Sequence, residues 1–80
     1  MGLAKTEAEW AERASRHLKA ELKRAGVTYD ELAERLKKHG YKDETKASIA
    51  NKLARGTHPT AWFLAALAAI GCATVQLEDI

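Results

Sequence analysis

Apolar residues recur along this chain at helical spacing, in four runs that each stop at a glycine. Trp10, Ala14, Leu18 and Leu22 form one stripe at intervals of four; Leu32, Ala33 and Leu36 form a second, and Ile49, Ala50 and Leu53 a third. The fourth run, Ala61 to Ile70, is apolar on every side. Gly26, Gly40, Gly56 and Gly71 follow the runs, at the position where helices commonly end in a left-handed residue. The pattern predicts an all-α, compact four-helix domain spanning 1–80, with helices over about 6–25, 28–39, 45–55 and 60–70. Beyond Gly71 the period changes. Thr74, Val75, Gln76, Leu77 and Glu78 alternate polar and apolar, which predicts an extended, strand-like tail over 73–78. Since a lone strand is unstable, it must lie across the helices or pair with its copy in a dimer.

The helix starts are marked as clearly as the ends. Thr6 with Glu9, and Thr28 with Glu31, have the spacing of capping boxes, and Val27 stands where it can staple onto Leu32. Thr45 is the best cap for the third helix, with Asp43 as the alternative, and Pro59-Thr60 opens the fourth. Trp10, Trp62 and Phe63 fall within the stripes and are expected in the core, while Tyr29 and Tyr41 belong there or lie flat over it. The fourth helix is either wrapped by the others or presents a face to a second subunit.

Eighty residues support one core, and a chain of that length buries roughly 60% of its unfolded surface. A 46% hydrophobic content with a single proline argues against disorder. The lone Cys72 has no disulfide partner within the chain and reads as a small apolar residue in a reducing compartment. The first residues lack the apolar core of a secretory signal, and the longest apolar run is about half the ~20 residues of a membrane span. These features predict a cytoplasmic protein with no membrane anchor.

Charge changes the picture more. The net value is only +2, yet Arg35 through His58 holds seven basic residues against Asp43 and Glu44, a local +5. The excess therefore sits on the second and third helices. Stepping about 100° per residue from Ile49 puts Ser48, Asn51, Lys52 and Arg55 on the side of the third helix away from the core. Asn51 has the geometry to pair with adenine, Lys52 and Arg55 to reach guanine or phosphate, and Ser48 to donate or accept. Thr28 and Tyr29 at the start of the second helix, and Thr57, His58 and Thr60 near the start of the fourth, are candidate phosphate contacts. Glu9, Glu12, Arg13, Arg16, Lys19 and Lys23 on the first helix read as a solvated face. Catalytic and metal signals are missing: His17, His39 and His58 lie far apart, no Cys-x-x-Cys occurs, and no glycine-rich loop follows a strand. The expectation is a non-enzyme without metal or cofactor.

Gly26-Val-Thr-Tyr-Asp-Glu-Leu-Ala-Glu-Arg-Leu36, Ser48-Ile-Ala-Asn-Lys-Leu-Ala-Arg-Gly56, Pro59-Thr60 and Leu64-Ala-Ala-Leu-Ala-Ala-Ile-Gly71 resemble the phage repressor helix-turn-helix domain of the lambda repressor or Xre type. The resemblance covers roughly Leu18 to Cys72. Trp10, Leu18-Lys-Ala-Glu-Leu22, Gly26-Val-Thr-Tyr29 and Asn51-Lys52 are similar, more closely, to a small bacterial domain of unknown function built on that plan. The repressor resemblance implies a lambda-repressor-like fold, a third helix in the major groove, and base contacts that also include Lys46 and Ala47, the Ala47 methyl meeting thymine. The connection departs from the family, because Leu36 stands nine residues before Thr45 where repressors use a turn of three or four. The second helix is expected to run an extra turn into a longer loop.

Together these features predict a small bacterial or phage transcriptional regulator, a homodimer that binds double-stranded DNA through its third helix. The alternative is a helical protein-interaction module that keeps the repressor-like fold and binds a protein partner instead.

Overall fold

Three helices begin where a hydroxyl side chain satisfies a first-turn amide, the fourth begins after a proline, and three end directly at a left-handed glycine. In the computed structural model, which describes residues 3–80, four α-helices span Glu7–Ala25 (α1), Tyr29–Leu36 (α2), Lys46–Arg55 (α3) and Thr60–Ile70 (α4). Thr6 Oγ1 accepts from Glu9 N at 3.1 Å, while the Glu9 carboxylate accepts from Lys5 N at 3.0 Å, one residue before the expected cap. Thr28 Oγ1 accepts from Glu31 N at 3.2 Å. At α3 the box is reciprocal: Thr45 Oγ1 accepts from Ser48 N at 3.1 Å and Ser48 Oγ accepts from Thr45 N at 2.8 Å. Thr45, and not Asp43, is therefore the cap. A cap of this kind stabilises a helix by about 1 kcal/mol.

Two expected elements differ. The α-helical ladder of α2 stops at Leu36, and Lys37–His39 continue as one 3₁₀ turn closed by left-handed Gly40. The extra turn is present but tighter, and Tyr41 N returns to Leu36 O at 3.0 Å, folding the connection back onto the helix it leaves. The tail forms no strand. Residues 73–76 run irregularly and Leu77–Asp79 make a second 3₁₀ turn, in which Ile80 N donates to Leu77 O at 3.3 Å. Period-two alternation over so few residues had no neighbouring strand to pair with, and local turn bonds took its place.

Leu18 and Leu22 of α1, Val27 of the α1–α2 connection, Leu32, Ala33 and Leu36 of α2, Ile49 and Leu53 of α3, and Trp62, Ala66 and Leu67 of α4 form one buried cluster. Tyr29, Tyr41, Phe63, Cys72 and Val75 pack on its margin. Trp10 is an exception among the expected core residues. It stands 37% exposed near the start of α1, because the core ends about two turns further along that helix. α4 is not wrapped on all sides either: it packs on α1 and α2, while Ala61, Leu64 and Ala68 face outward and Leu64 is 60% exposed. α3 packs on α1 and α2. It reaches α4 through long side chains. The radius of gyration, 12.1 Å, is close to the ~11.6 Å expected for a chain of this length. Among the described residues no helix is long and apolar enough to cross a membrane.

Gly56, directly after α3, lies close against α1. This residue ends α3 at φ 64°, and a Cβ built there would lie 3.2 Å from Ala11 Cβ on α1. Backbone conformation and space both select glycine, so Gly56→Ala is expected to destabilise the fold by about 1–2 kcal/mol. Chemical denaturation read by circular dichroism will show the loss, and an unchanged midpoint would refute the account of this junction.

Candidate nucleic-acid interface

The stripe that seats Ile49 and Leu53 in the core turns the opposite side of α3 to solvent. Ala47, Asn51, Ala54 and Arg55 are exposed there, and Lys46 is exposed in the first turn. Ser48, Asn51, Lys52, Arg55 and Thr57 line a shallow depression beside this face, so the structure gathers the four residues read from helical spacing and adds Thr57. Ala54 was missed by the sequence reading. An exposed alanine between Asn51 and Arg55 leaves the helix backbone open to close approach. Thr28 and Tyr29 sit apart from this depression, at the start of α2, where the Thr28 hydroxyl is occupied as the helix cap. Thr60 is exposed at the first position of α4, whose N-terminus has no side-chain cap.

Two of the gathered residues are already engaged. Ser48 Oγ, besides its capping bond, donates to Glu44 Oε1 at 2.6 Å. Lys52 Nζ forms an ion pair with Glu44 Oε2 and lies 5.2 Å from the centroid of the buried Trp62 ring. Glu44 comes from the loop before α3 and is 7% exposed at its side chain. Burial alone would raise its pKa, but hydrogen bonds from Lys52 and Ser48, the Lys52 charge and a weaker interaction with the Trp62 indole outweigh burial and hold it below its ordinary 4.5. The buried indole Nε1 itself closes no hydrogen bond. Sequence reasoning treated Glu44 as loop charge. The signal it left was the spacing of four from Glu44 to Ser48 to Lys52.

His58 is engaged as well. Its ring stacks on Phe63 with centroids 5.5 Å apart, tilts against Trp62 at 5.6 Å, and places Nε2 3.2 Å from the buried Ser15 hydroxyl of α1. Burial lowers its pKa below 6.5, the pull of its own backbone opposes the shift, and the Lys52 charge adds to it. The neutral ring is thus the form that joins α1 to α4.

The local positive charge is thinned by similar pairings. Arg35 donates to Ala69 O at the end of α4 at 3.1 Å, and Lys37 pairs with Glu34 at 3.1 Å. With Lys52 held by Glu44, the exposed cations of the segment that make neither an ion pair nor a carbonyl bond among the described residues are Lys38, Lys42, Lys46 and Arg55. Lys46 and Arg55 stand at the two ends of α3, with Asn51 between them. This geometry presents one amide, two small side chains and a cation at each end of a single exposed helix.

The chain belongs to the DUF6471 family. That family model, described as a domain of unknown function, matches residues 10–75, from Trp10 on α1 through α4 to Val75. No curated protein and no solved structure matches the chain. The match takes in all of α2, α3 and α4, including the Glu44, Lys52 and Trp62 cluster, so the arrangement lies within the family's own unit.

Both titrating groups make the fold acid-sensitive in the same direction. The folded pKa of His58 is depressed, so its contribution is complete above 6.5 and is lost as pH falls from there through the folded value. Glu44, also depressed, contributes fully above 4.5 and loses its contribution as pH falls through its own folded value. Thermal unfolding followed from pH 8 to 4 should show Tm declining below about 6.5, and His58→Gln should flatten that first decline. Lys52→Ala leaves a buried carboxylate without its main partner and should cost about 1–3 kcal/mol of stability. Equal Tm values for wild type and Lys52→Ala at neutral pH would contradict the engaged state of this lysine.

Proposed function

We propose that this protein binds double-stranded DNA through α3, as a small bacterial or phage transcriptional regulator of helix-turn-helix type. What carries the reading is the exposed face of α3: Ala47, Asn51, Ala54 and Arg55 project from a helix whose other side is anchored in the core, with Lys46 in its first turn. A ten-residue helix is about 15 Å long, enough to lie in a major groove about 12 Å wide. In this reading Asn51 pairs with an adenine, Arg55 reaches a guanine or phosphate, the Ala47 methyl meets a thymine methyl, and Lys46 meets the edge of the groove. Ser48 and Lys52, being committed to Glu44, hold the helix in place and take little part in base contact. Thr57 and the open N-terminus at Thr60 offer phosphate contacts, as Thr28 and Tyr29 do at the start of α2. His58 serves the α1–α4 junction. The lambda-repressor-like assignment of the fold rests on the sequence resemblance and on the order of the four helices.

Reading a palindromic site needs two copies, and we infer a homodimer formed through α4. The support is its outward face of Ala61, Leu64 and Ala68 on a helix that carries no charged residue. The same uncovered face favours the second reading, a protein-interaction module in which another protein covers α4. Sedimentation at high concentration distinguishes them: the dimer predicts a species of twice the 8.8 kDa chain mass, and only monomer would oppose it.

DNA binding itself is tested by titrating fluorescent duplexes at low and moderate salt. Asn51→Ala should cost about 1–3 kcal/mol on a selected site and little on random duplex, because it removes base readout. Wild-type protein that binds no duplex at low salt, while retaining a protein partner through the same surface, would replace the DNA reading with the interaction-module reading.

A further inference from the structure

α1 was read from sequence as an ordinary solvated helix on its charged side, but the fold brings that side next to α3. The groove between the two helices is lined by Ser15, Arg16 and Lys19 from α1 and by Ala54, Arg55 and Gly56 from α3. It exists because Gly56 has no side chain and Ala11 a short one, so the helices approach closely there and leave Lys19 beside the end of the exposed α3 face. On α1 the positions 16, 19 and 23 fall within a narrow stripe, since steps of three and four residues return to one face. Arg16, Lys19 and Lys23 are all exposed. Lys19 and Lys23 make no ion pair among the described residues, and Arg16 is balanced only by an exposed pair with Glu12 at 2.5 Å, which is worth little in water.

We propose that this Arg16–Lys19–Lys23 stripe is a second phosphate-contacting surface for duplex DNA seated on α3. The inference rests on the DNA reading of α3 and adds to it phosphate contacts from α1, on the side of the groove beyond Arg55. A helix in the major groove has a phosphate backbone on each side of it. Lys46 and Lys42 serve the side nearest the start of α3, and the α1 stripe serves the side nearest its end, beyond Arg55. Contacts of this kind position the protein without reading sequence. They compensate for the cations that Glu34, Glu44 and the end of α4 withdraw from the second and third helices. A bound duplex releases about 0.9 counterion per phosphate neutralised, so each lysine of the stripe should be visible in the salt dependence of binding.

The experiment measures log K against log salt for wild type, Lys19→Ala, Lys23→Ala, Lys46→Ala and Arg24→Ala on a random and a selected duplex. Arg24 is the control. It removes the same charge from the same helix but lines a different groove, between α1 and the C-terminal tail. Lys19→Ala and Lys23→Ala are each expected to reduce the slope by about one, and to weaken binding to both duplexes by about eightfold at 0.1 M monovalent salt. Arg24→Ala is expected to leave the slope unchanged. A wild-type slope in Lys19→Ala and Lys23→Ala, with a reduced slope in Lys46→Ala, overturns the α1 contact and leaves the α3 reading standing. Absence of duplex binding by the wild-type protein overturns both.

Discussion

Trp62 is the side chain on which the arrangement of the other helices depends. It is fully buried in the core cluster, and its ring is met by groups from elsewhere in the chain. Lys52 from α3 lies over the ring, His58 from the α3–α4 connection tilts against it, and Ser15 from α1 bonds to that histidine. An aromatic ring of this size offers apolar area for the core and a negatively charged face for a cation. Trp62 and His58 together thus join α1, α3 and α4. In a small domain, where net stability is a few kcal/mol, a contact shared by three helices carries a large share of the fold's definition.

The placement of Lys52 has a cost and a return. A half-buried ammonium and a buried carboxylate are both taken partly out of water, and such pairs often do no more than break even against an apolar replacement. The return is orientation. Glu44 binds Lys52 and Ser48 simultaneously, and Ser48 is also half of the capping box of α3. The loop, the first turn and the second turn of α3 are therefore tied at one carboxylate. Such a tie fixes where the exposed face points, and it also removes Lys52 from that face. Under the proposed DNA reading, the recognition surface is consequently narrower in charge than a count of basic residues suggests, and contacts from neighbouring helices matter correspondingly more.

The long connection between α2 and α3 illustrates how local bonds settle a segment that pattern leaves open. Lys37–His39 tighten into a 3₁₀ turn, Gly40 reverses the chain, and the Tyr41 amide returns to Leu36. Tyr41 then packs against the core and Glu44 turns inward to Lys52. The extra residues form the wall that places Glu44 under α3. A turn of three or four residues would leave no room for that carboxylate.

How much of this was legible in the chain depends on the range of the interaction. Capping hydroxyls, the glycines that end helices and the Ile49–Leu53 stripe act within a few residues, so the sequence by itself determined the four helices, their order, the Thr45 cap and the outward side of α3. Trp10 and the tail were misjudged, and the surroundings of α4 were left open between two arrangements, because a periodic apolar position states only that a side chain can be buried. Whether it is buried depends on what stands opposite, and Trp10 lies beyond the end of the core while residues 73–78 have no strand beside them. Only the tertiary structure decided that Lys52 belongs to Glu44 and Trp62, that His58 belongs to Ser15, and that Lys19 lies beside Arg55. Those pairings join residues 8 to 43 positions apart; the spacing of four from Glu44 through Ser48 to Lys52 left a trace of the nearest, while for the others sequence spacing carries no record of distance.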